Sequence, residues 1–360
     1  MHKKELLNID MQYSLNEICL LPSATPTDIT SRKQVNPFDE NGNLPIFVAP
    51  MTSVLNESNY KIFAAKGVIP ILPRNCTETR DIAEVWHSYS LQEFESIIDS
   101  SKDYNGYHIL IDVANGHMRK IYDLVKKSKE KWPNIVIMIG NIANPAIYYN
   151  CCDAGVDYVR VGIGGGSVCS TSVQCGIHAS HQYMIENIKK LSCYYNNPNR
   201  TKIIADGGIN TLDKAIKALA IGYDYVMMGK CFAECKEACG EIKEIGCKTE
   251  YPNITIDTII NHPYLPPPEP KEIPGTGRLV RKYYGMASEQ GQIDISGGCT
   301  KNPEGVETWI PITTTLDAFV IRFEAALRST MSYTGATTLE KFHDSKYDIQ
   351  SIEEFKSYYK

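Results

Sequence analysis

Eight short runs rich in β-branched and aromatic residues, each bounded by turn residues, punctuate the first two thirds of the chain. They are Ile46 with 47–50 (IFVAP), 67–72 (GVIPIL), 83–88 (AEVWHS), 108–112 (HILID), 135–140 (IVIMIG), 157–161 (DYVRV), 202–206 (KIIAD) and 224–228 (DYVMM). Between them apolar residues recur at helical spacing, as with Met118, Ile121, Tyr122 and Val125 after the fourth run and Leu212, Ala215, Ile216 and Leu219 after the seventh. Strand then helix, repeated, predicts parallel β-structure. Eight such units in about 200 residues fit a closed (β/α)8 barrel, the TIM barrel of the α/β class, better than a doubly wound open sheet, because no strand is left over to form an edge.

The remainder, roughly 240–360, opens with the proline-rich stretch HPYLPPPEPKEIPGTG, whose prolines can continue neither a helix nor a central strand. The chain is therefore expected to be one barrel domain over 1–360, with a long excursion or lid at about 240–310. A last helical pattern through Leu316, Phe319, Val320, Phe323, Ala326 and Leu327 is placed to close the final unit. No internal repeat is visible.

Composition narrows the class. With 43% hydrophobic and 22% charged residues, the chain is neither disordered nor fibrous. The net charge of −5 comes from 42 acidic against 37 basic residues, without a Lys/Arg block, so nucleic acid is not an expected partner. No apolar run approaches the 18 or so residues of a membrane span, and the N-terminal MHKKELLNIDMQYSLNEI has no signal-like apolar segment. A cytoplasmic protein with no membrane partner is expected, and its twelve cysteines are expected to be reduced. No CxxC pair occurs, and Cys231, Cys235 and Cys239, at intervals of four, are read as one helix face rather than a metal site.

In a (β/α)8 barrel, chemistry sits on the loops that follow the strands. After the sixth run comes GIGGGSVCST (162–171), after the seventh Asp206, Gly207, Gly208 and Ile209, after the eighth Gly229 and Lys230, and after the fourth Asp112 with Ala114, Asn115 and Gly116. Gly162, Gly164, Gly165 and Gly166 followed by Ser167 supply backbone N–H groups and a hydroxyl suited to a phosphate, or else a flexible turn. The glycines after strands seven and eight favour phosphate, which barrels commonly bind there. Cys169 is either a nucleophile activated by the adjacent N–H groups or a small buried hydrophobe, and spacing leaves both open. Cys151 and Cys152 fall in a helical stretch.

The run GIGGGSVCST, with ADGGI, VMMGK and YYGMAS downstream and FVAPM and DVANG upstream, resembles the IMP dehydrogenase and GMP reductase family in order and placement over nearly the whole chain. The resemblance implies a barrel that binds a purine nucleoside monophosphate, GMP or IMP, attacks C2 of the base with a cysteine, and exchanges hydride between C2 and a nicotinamide cofactor. It makes Cys169 the nucleophile and Ser167 a phosphate ligand with the N–H groups of Gly208 and Gly229, in the company of Gly207 and Lys230. Asp206 would accept from the ribose hydroxyls. Met51 and Met286 would pack near the base, and Tyr283 or Tyr284 would close on the phosphate beside Gly285. Asp112, Ala114 and Asn115 would face the cofactor. The carbonyls of Gly164, Gly166 and Cys169 match those that ligate K+ in many members, and a homotetramer is implied.

Direction turns on the interval from Ser288 to Glu304, EQGQIDISGGCTKNP, which is short for a dehydrogenase flap and holds no arginine or tyrosine. The family's dehydrogenases use an Arg-Tyr pair there to activate water. A reductase needs instead a threonine and a glutamate to manage a proton, and Thr171 and Glu304 match them. DVANGH and YYGMASE are also more reductase-like, and no regulatory domain is inserted between strands three and four, whereas ADGGI and VMMG are more dehydrogenase-like. The reading is NADPH-dependent reduction of GMP to IMP and ammonia. The alternatives are IMP dehydrogenase using NAD, with NADH also open as the reductant, and a catalytically silent nucleotide-binding member. Two departures stand on the catalytic face: Met51-Thr52-Ser53 in place of Met-Asp-Thr, and Pro73-Arg74-Asn75 in place of His-Lys.

Overall fold

The computed structural model describes residues 12–166, 168, 171–195, 200–247, 249–250, 271–272, 275–298 and 303–349. A short strand β1 (Ile18–Leu20) is followed by eight parallel strands, β2 (Ile46–Val48), β3 (Ile69–Leu72), β4 (Trp86–Tyr89), β5 (His108–Asp112), β6 (Val136–Ile142), β7 (Tyr158–Val161), β8 (Lys202–Asp206) and β9 (Tyr225–Met228). They close in sequence order, β9 pairing with β2, into a (β/α)8 barrel. All eight predicted runs are barrel strands. The third begins three residues late, at Trp86, because Ile82–Val85 forms a turn closed by Val85 N–H on the Ile82 carbonyl.

Alternation along the strands sorts their side chains. Phe47, Trp86, Tyr158 and Tyr225 meet inside the barrel with ring centroids 5.2–5.8 Å apart, an aromatic floor with Lys202 over two of its rings. The floor fills the N-terminal end and leaves the inward positions one layer higher, Asp112, Arg160 and Asp206, to line the opposite mouth.

The last helical pattern is the helix Leu316–Thr334. Thr315 caps its start by accepting from Ala318 N–H, and Gly335, in the left-handed conformation at φ 79°, ends it. Leu316, Phe319, Phe323, Leu327 and Met331 bury one face, and Phe319 meets Phe232 at 5.0 Å, so this helix closes the final unit as expected.

Within the excursion, β10 (Ile242–Ile245) is followed by the short pair β11 (Thr249–Glu250) and β12 (Lys271–Glu272), and then by β13 (Arg278–Tyr284) and β14 (Glu307–Pro311). β10, β13 and β14 form an antiparallel sheet that sequence periodicity did not announce, and most of the proline-rich stretch lies outside the described residues. β15 (Tyr347–Ile349) returns to pair with β1. Fully buried Arg281 anchors the sheet to the barrel by donating to the carbonyls of Ala233, Cys235 and Lys236.

The expected shared helix face of Cys231, Cys235 and Cys239 is not formed. The helix Lys230–Ala233 is a single turn, after which Cys235 bridges to Thr314 and Cys239 N–H bonds to the Val54 carbonyl. The described cysteines are free thiols. No helix among the described residues is long and apolar enough to cross a membrane.

Candidate functional site

Arg160 stands two residues after Tyr158 of the floor and so points inward at the barrel mouth. Its Nη1 donates to Asp112 Oδ1 at 2.7 Å and its Nε to Asp206 Oδ2 at 3.0 Å, with Nη2 2.8 Å from the same oxygen. Strand β6 lies between Asp112 and Arg160, and the residue in register with both is Gly140. A Cβ at Gly140 would approach the Arg160 Cβ to 2.4 Å. Burial alone works against the guanidinium's charge, but Asp206 and Asp112 outweigh it and hold the pKa above its usual value.

A register shift between Gly140 and Ile142 turns Asn141 toward the same carboxylate. Its Nδ2 donates to Asp206 Oδ2 and to the Gly162 carbonyl, each at 2.7 Å. Asp206 thus has one oxygen held by Asn141 and Arg160, while Oδ1 accepts from no described residue. Arg74, a departure from the resembled pattern, places its Nε 3.9 Å from Asp112 Oδ2, so Asp112 lies between two cations.

The glycine loops after β7 and β8 stack backbone on backbone. A Cβ at Gly162, whose φ is 128°, would lie 2.1 Å from the Asp206 carbonyl oxygen, and one at Gly165 would lie 3.3 Å from Gly207. Half-buried His181 holds this pair in place: its Nε2 is 2.7 Å from the Gly207 carbonyl and its Nδ1 3.1 Å from the Tyr223 hydroxyl. Burial lowers its pKa, so the imidazole is neutral and Nε2–H is the donor.

Gly229 after β9 meets a different group. A Cβ there would sit 2.6 Å from Met51 Sδ and 2.9 Å from the Tyr283 hydroxyl, which itself lies 3.7 Å from Met51 Sδ. Lys230, half-buried, opens the short helix that follows. Tyr284 turns instead to Asp294, at 2.7 Å, and Thr52 donates to that same carboxylate at 2.6 Å while approaching Met286 Sδ at 4.0 Å.

Val168, the chain neighbour of both Ser167 and Cys169, is buried, and its carbonyl accepts from Val306 N–H at 2.9 Å. Gly285 and Gly305 pack on Val168, and Glu304 N–H bonds to the Ala287 carbonyl, so the YYGMAS and Pro-Glu-Gly segments seat on Val168 together. The Glu304 carboxylate lies 3.7 Å from the Cys175 thiol. Ser167, Cys169 and the side chain of Thr171 lie outside the described residues. Of the carbonyls matched to K+, that of Gly164 accepts the Ser172 hydroxyl at 3.1 Å. Ala114 and Asn115 are exposed beyond β5, with Asn115 Oδ1 bonded by His117 N–H.

Sequence reading missed Arg160, Asn141, His181 and Asp294. Only Arg160 gave a signal, a charge at an inward position of DYVRV two residues from Tyr158. The others depend on a bulge or on partners distant in the chain.

Residues 90–251 match the family described as IMP dehydrogenase / GMP reductase domain. The chain is 31% identical over 266 residues to inosine-5'-monophosphate dehydrogenase of Chlorobaculum parvum, a match covering 71% of this chain and 46% of that protein. It is 26% identical over 351 residues to GMP reductase of Streptococcus agalactiae serotype V, and over 352 residues to GMP reductase of Streptococcus pyogenes serotype M5, each match covering 94% of both chains. The chain therefore spans about half the length of the dehydrogenase relative and nearly all of the reductase relatives.

Proposed function

We propose that this chain, which belongs to the IMP dehydrogenase / GMP reductase family, catalyses the reductive deamination of GMP to IMP and ammonia with NADPH. The observation that carries the direction is the interval 289–303, which holds neither arginine nor tyrosine. It offers no guanidine–phenol pair to activate water against a covalent intermediate. Full-length correspondence with chains named GMP reductase supports the same direction.

In this reading Ser167 and the N–H groups of Gly207, Gly208 and Gly229 hold the phosphate, beside Lys230, Tyr283 and Gly285. The stacking of the loops after β7 and β8 favours a preformed anion site. The ribose hydroxyls donate to Asp206, whose Oδ2 is already held by Arg160 and Asn141 and whose Oδ1 accepts from no described residue. The base enters between Met51 and Met286. The Cys169 thiolate adds to C2, and the 2-amino group leaves as ammonia once protonated, the proton passing from Glu304 through Thr171. Expulsion of the thiolate after reduction at C2 returns the enzyme to its starting state.

The donor set beside Asp112 fits a nicotinamide cofactor. The Asp112 carboxylate can accept from a carboxamide, Ala114 and Asn115 leave the surface open, and Arg74 offers a cation to a phosphate. When bound, the cofactor supplies hydride at C2. An absorbance assay at the nicotinamide band tests the direction: GMP with NADPH should turn over steadily, while IMP with NAD should give at most a burst of about one equivalent per site. Sustained xanthosine monophosphate formation would assign the chain to the dehydrogenases, and nucleotide binding without turnover in either assay would assign it to silent binders.

A further inference from the structure

We propose that Asp294 is a positioning residue, whose carboxylate straps the helix Glu289–Ser296 to the barrel rim at Thr52 and thereby fixes the gap between Met51 and Met286. The proposal rests on the reading of that gap as the place of a nucleotide base.

Thr52 and Asp294 are 242 positions apart in the chain, yet Thr52 Oγ1 donates to Asp294 Oδ2 at 2.6 Å and the Tyr284 hydroxyl donates to the same oxygen at 2.7 Å. Each hydroxyl has one proton, and both are committed to the carboxylate. The 3.3 Å approach of Thr52 Oγ1 to the Tyr284 oxygen is therefore held by the shared acceptor rather than by a bond of its own. The other oxygen, Oδ1, accepts from Gln290 Nε2 at 2.8 Å. Three donors thus converge on one carboxyl group from two sides of the molecule.

Both ends of the strap are fixed. On the barrel side the Thr52 carbonyl accepts from the Cys239 thiol at 3.1 Å. On the sheet side Gln290 Oε1 accepts from Lys282 Nζ at 2.9 Å, and Lys282 pairs with Glu307 at 3.0 Å, three residues beyond Glu304. Polar contacts thus run from the loop after β2 through Asp294 to the segment that bears the proposed acid. Met51 and Met286 are covalently placed at this junction, one residue before Thr52 and two after Tyr284. The carboxylate that the resembled pattern puts at position 52 is delivered here from the opposite side of the gap.

The test uses the full chain and two ligands, GMP and ribose 5-phosphate, which lacks the base. Asp294→Ala should raise the Kd for GMP by about tenfold in calorimetry, the loss expected for charge-assisted hydrogen bonds, and that for ribose 5-phosphate by less than about twofold. Thr52→Asp, which sets two carboxylates against each other, should be at least as harmful. Combining Thr52→Asp with Asp294→Asn should restore GMP affinity to within about threefold of the parent, because the charge is supplied from the other side. Equal weakening of both ligands by Asp294→Ala, or no weakening, overturns the proposal, as does failure of the paired variant to recover. Amide exchange separates this inference from the functional reading. Should the parent bind neither ligand, that reading fails. The strap is still judged by whether Asp294→Ala speeds exchange over 289–298 and the paired variant slows it again, and unchanged exchange overturns it.

Discussion

A Cβ at Gly140 would lie 2.4 Å from the Cβ of Arg160, and the missing side chain is what allows the Arg160 guanidinium to cross β6 and reach Asp112. Gly140 also has φ 155° and would bring its Cβ to 3.0 Å from the Arg160 carbonyl oxygen. Gly140→Ala is therefore expected to cost about 2–4 kcal/mol in urea denaturation, through backbone strain and overpacking together. A variant as stable as the parent would show that the crossing does not need the glycine.

Arg160 neutralises two carboxylates whose side chains are each only 15% exposed. Arg160→Leu leaves Asp206 with only the neutral Asn141 amide and Asp112 with only Arg74 at 3.9 Å, and should destabilise by about 3–5 kcal/mol, whereas the triple change with Asp112→Asn and Asp206→Asn should recover part of that loss. Chemical denaturation of the two variants checks it. A triple variant less stable than Arg160→Leu would mean that the carboxylates are not the source of the cost.

Glu304 can be separated from binding. Glu304→Gln keeps the shape and removes the acid, so turnover with GMP and NADPH should fall by about 100-fold while the Kd for GMP moves less than about threefold. Stopped-flow absorbance and calorimetry on one preparation provide the comparison. Equal losses in both would make Glu304 a binding group.

Stability should fall on mild acidification. His87 is 2% exposed, neither ring nitrogen has a hydrogen-bond partner among the described residues, and burial pushes its pKa down to about 4. Burial lowers those of His181 and His343 as well. The unfolded chain takes up these protons near pH 6.5 and the fold does not, so the contribution is complete above about 6.5 and is lost as pH falls toward about 4. His87 alone accounts for about 2 kcal/mol at pH 5. Thermal melts at pH 7.5 and 5.5 should show the drop, and His87→Leu should flatten it. An equal slope in that variant would place the effect elsewhere.

The barrel was legible because each strand carries its own pattern. DYVRV and KIIAD alternate between residues fully buried outside the barrel, such as Val159 and Ile203, and inward residues such as Arg160 and Asp206. The antiparallel sheet was less legible. RLVRKYY mixes charges with apolar residues, since Arg281 is buried on backbone carbonyls and Lys282 faces Glu307. Cys231, Cys235 and Cys239 fit a helix by spacing alone, but the pairing of Cys235 with Thr314 stops it. No local signal pointed to Asp294, because its meaning comes from Thr52 and Tyr284 across the gap. The motifs were visible in the sequence at four strand ends and in YYGMAS, and the structure adds Arg160 and Asn141, which hold the proposed ribose ligand Asp206.

The central claim is that the amino group of GMP leaves C2 as ammonia while NADPH is consumed. The most direct measurement follows GMP labelled with 15N at the 2-amino position by NMR, alongside nicotinamide absorbance, for the parent and for Cys169→Ala. The account predicts about one labelled ammonium and one IMP per NADPH oxidised, and neither in the variant, which still binds GMP. Label retained in the nucleotide while NADPH is oxidised, or ammonium released at the parent's rate by Cys169→Ala, would contradict it.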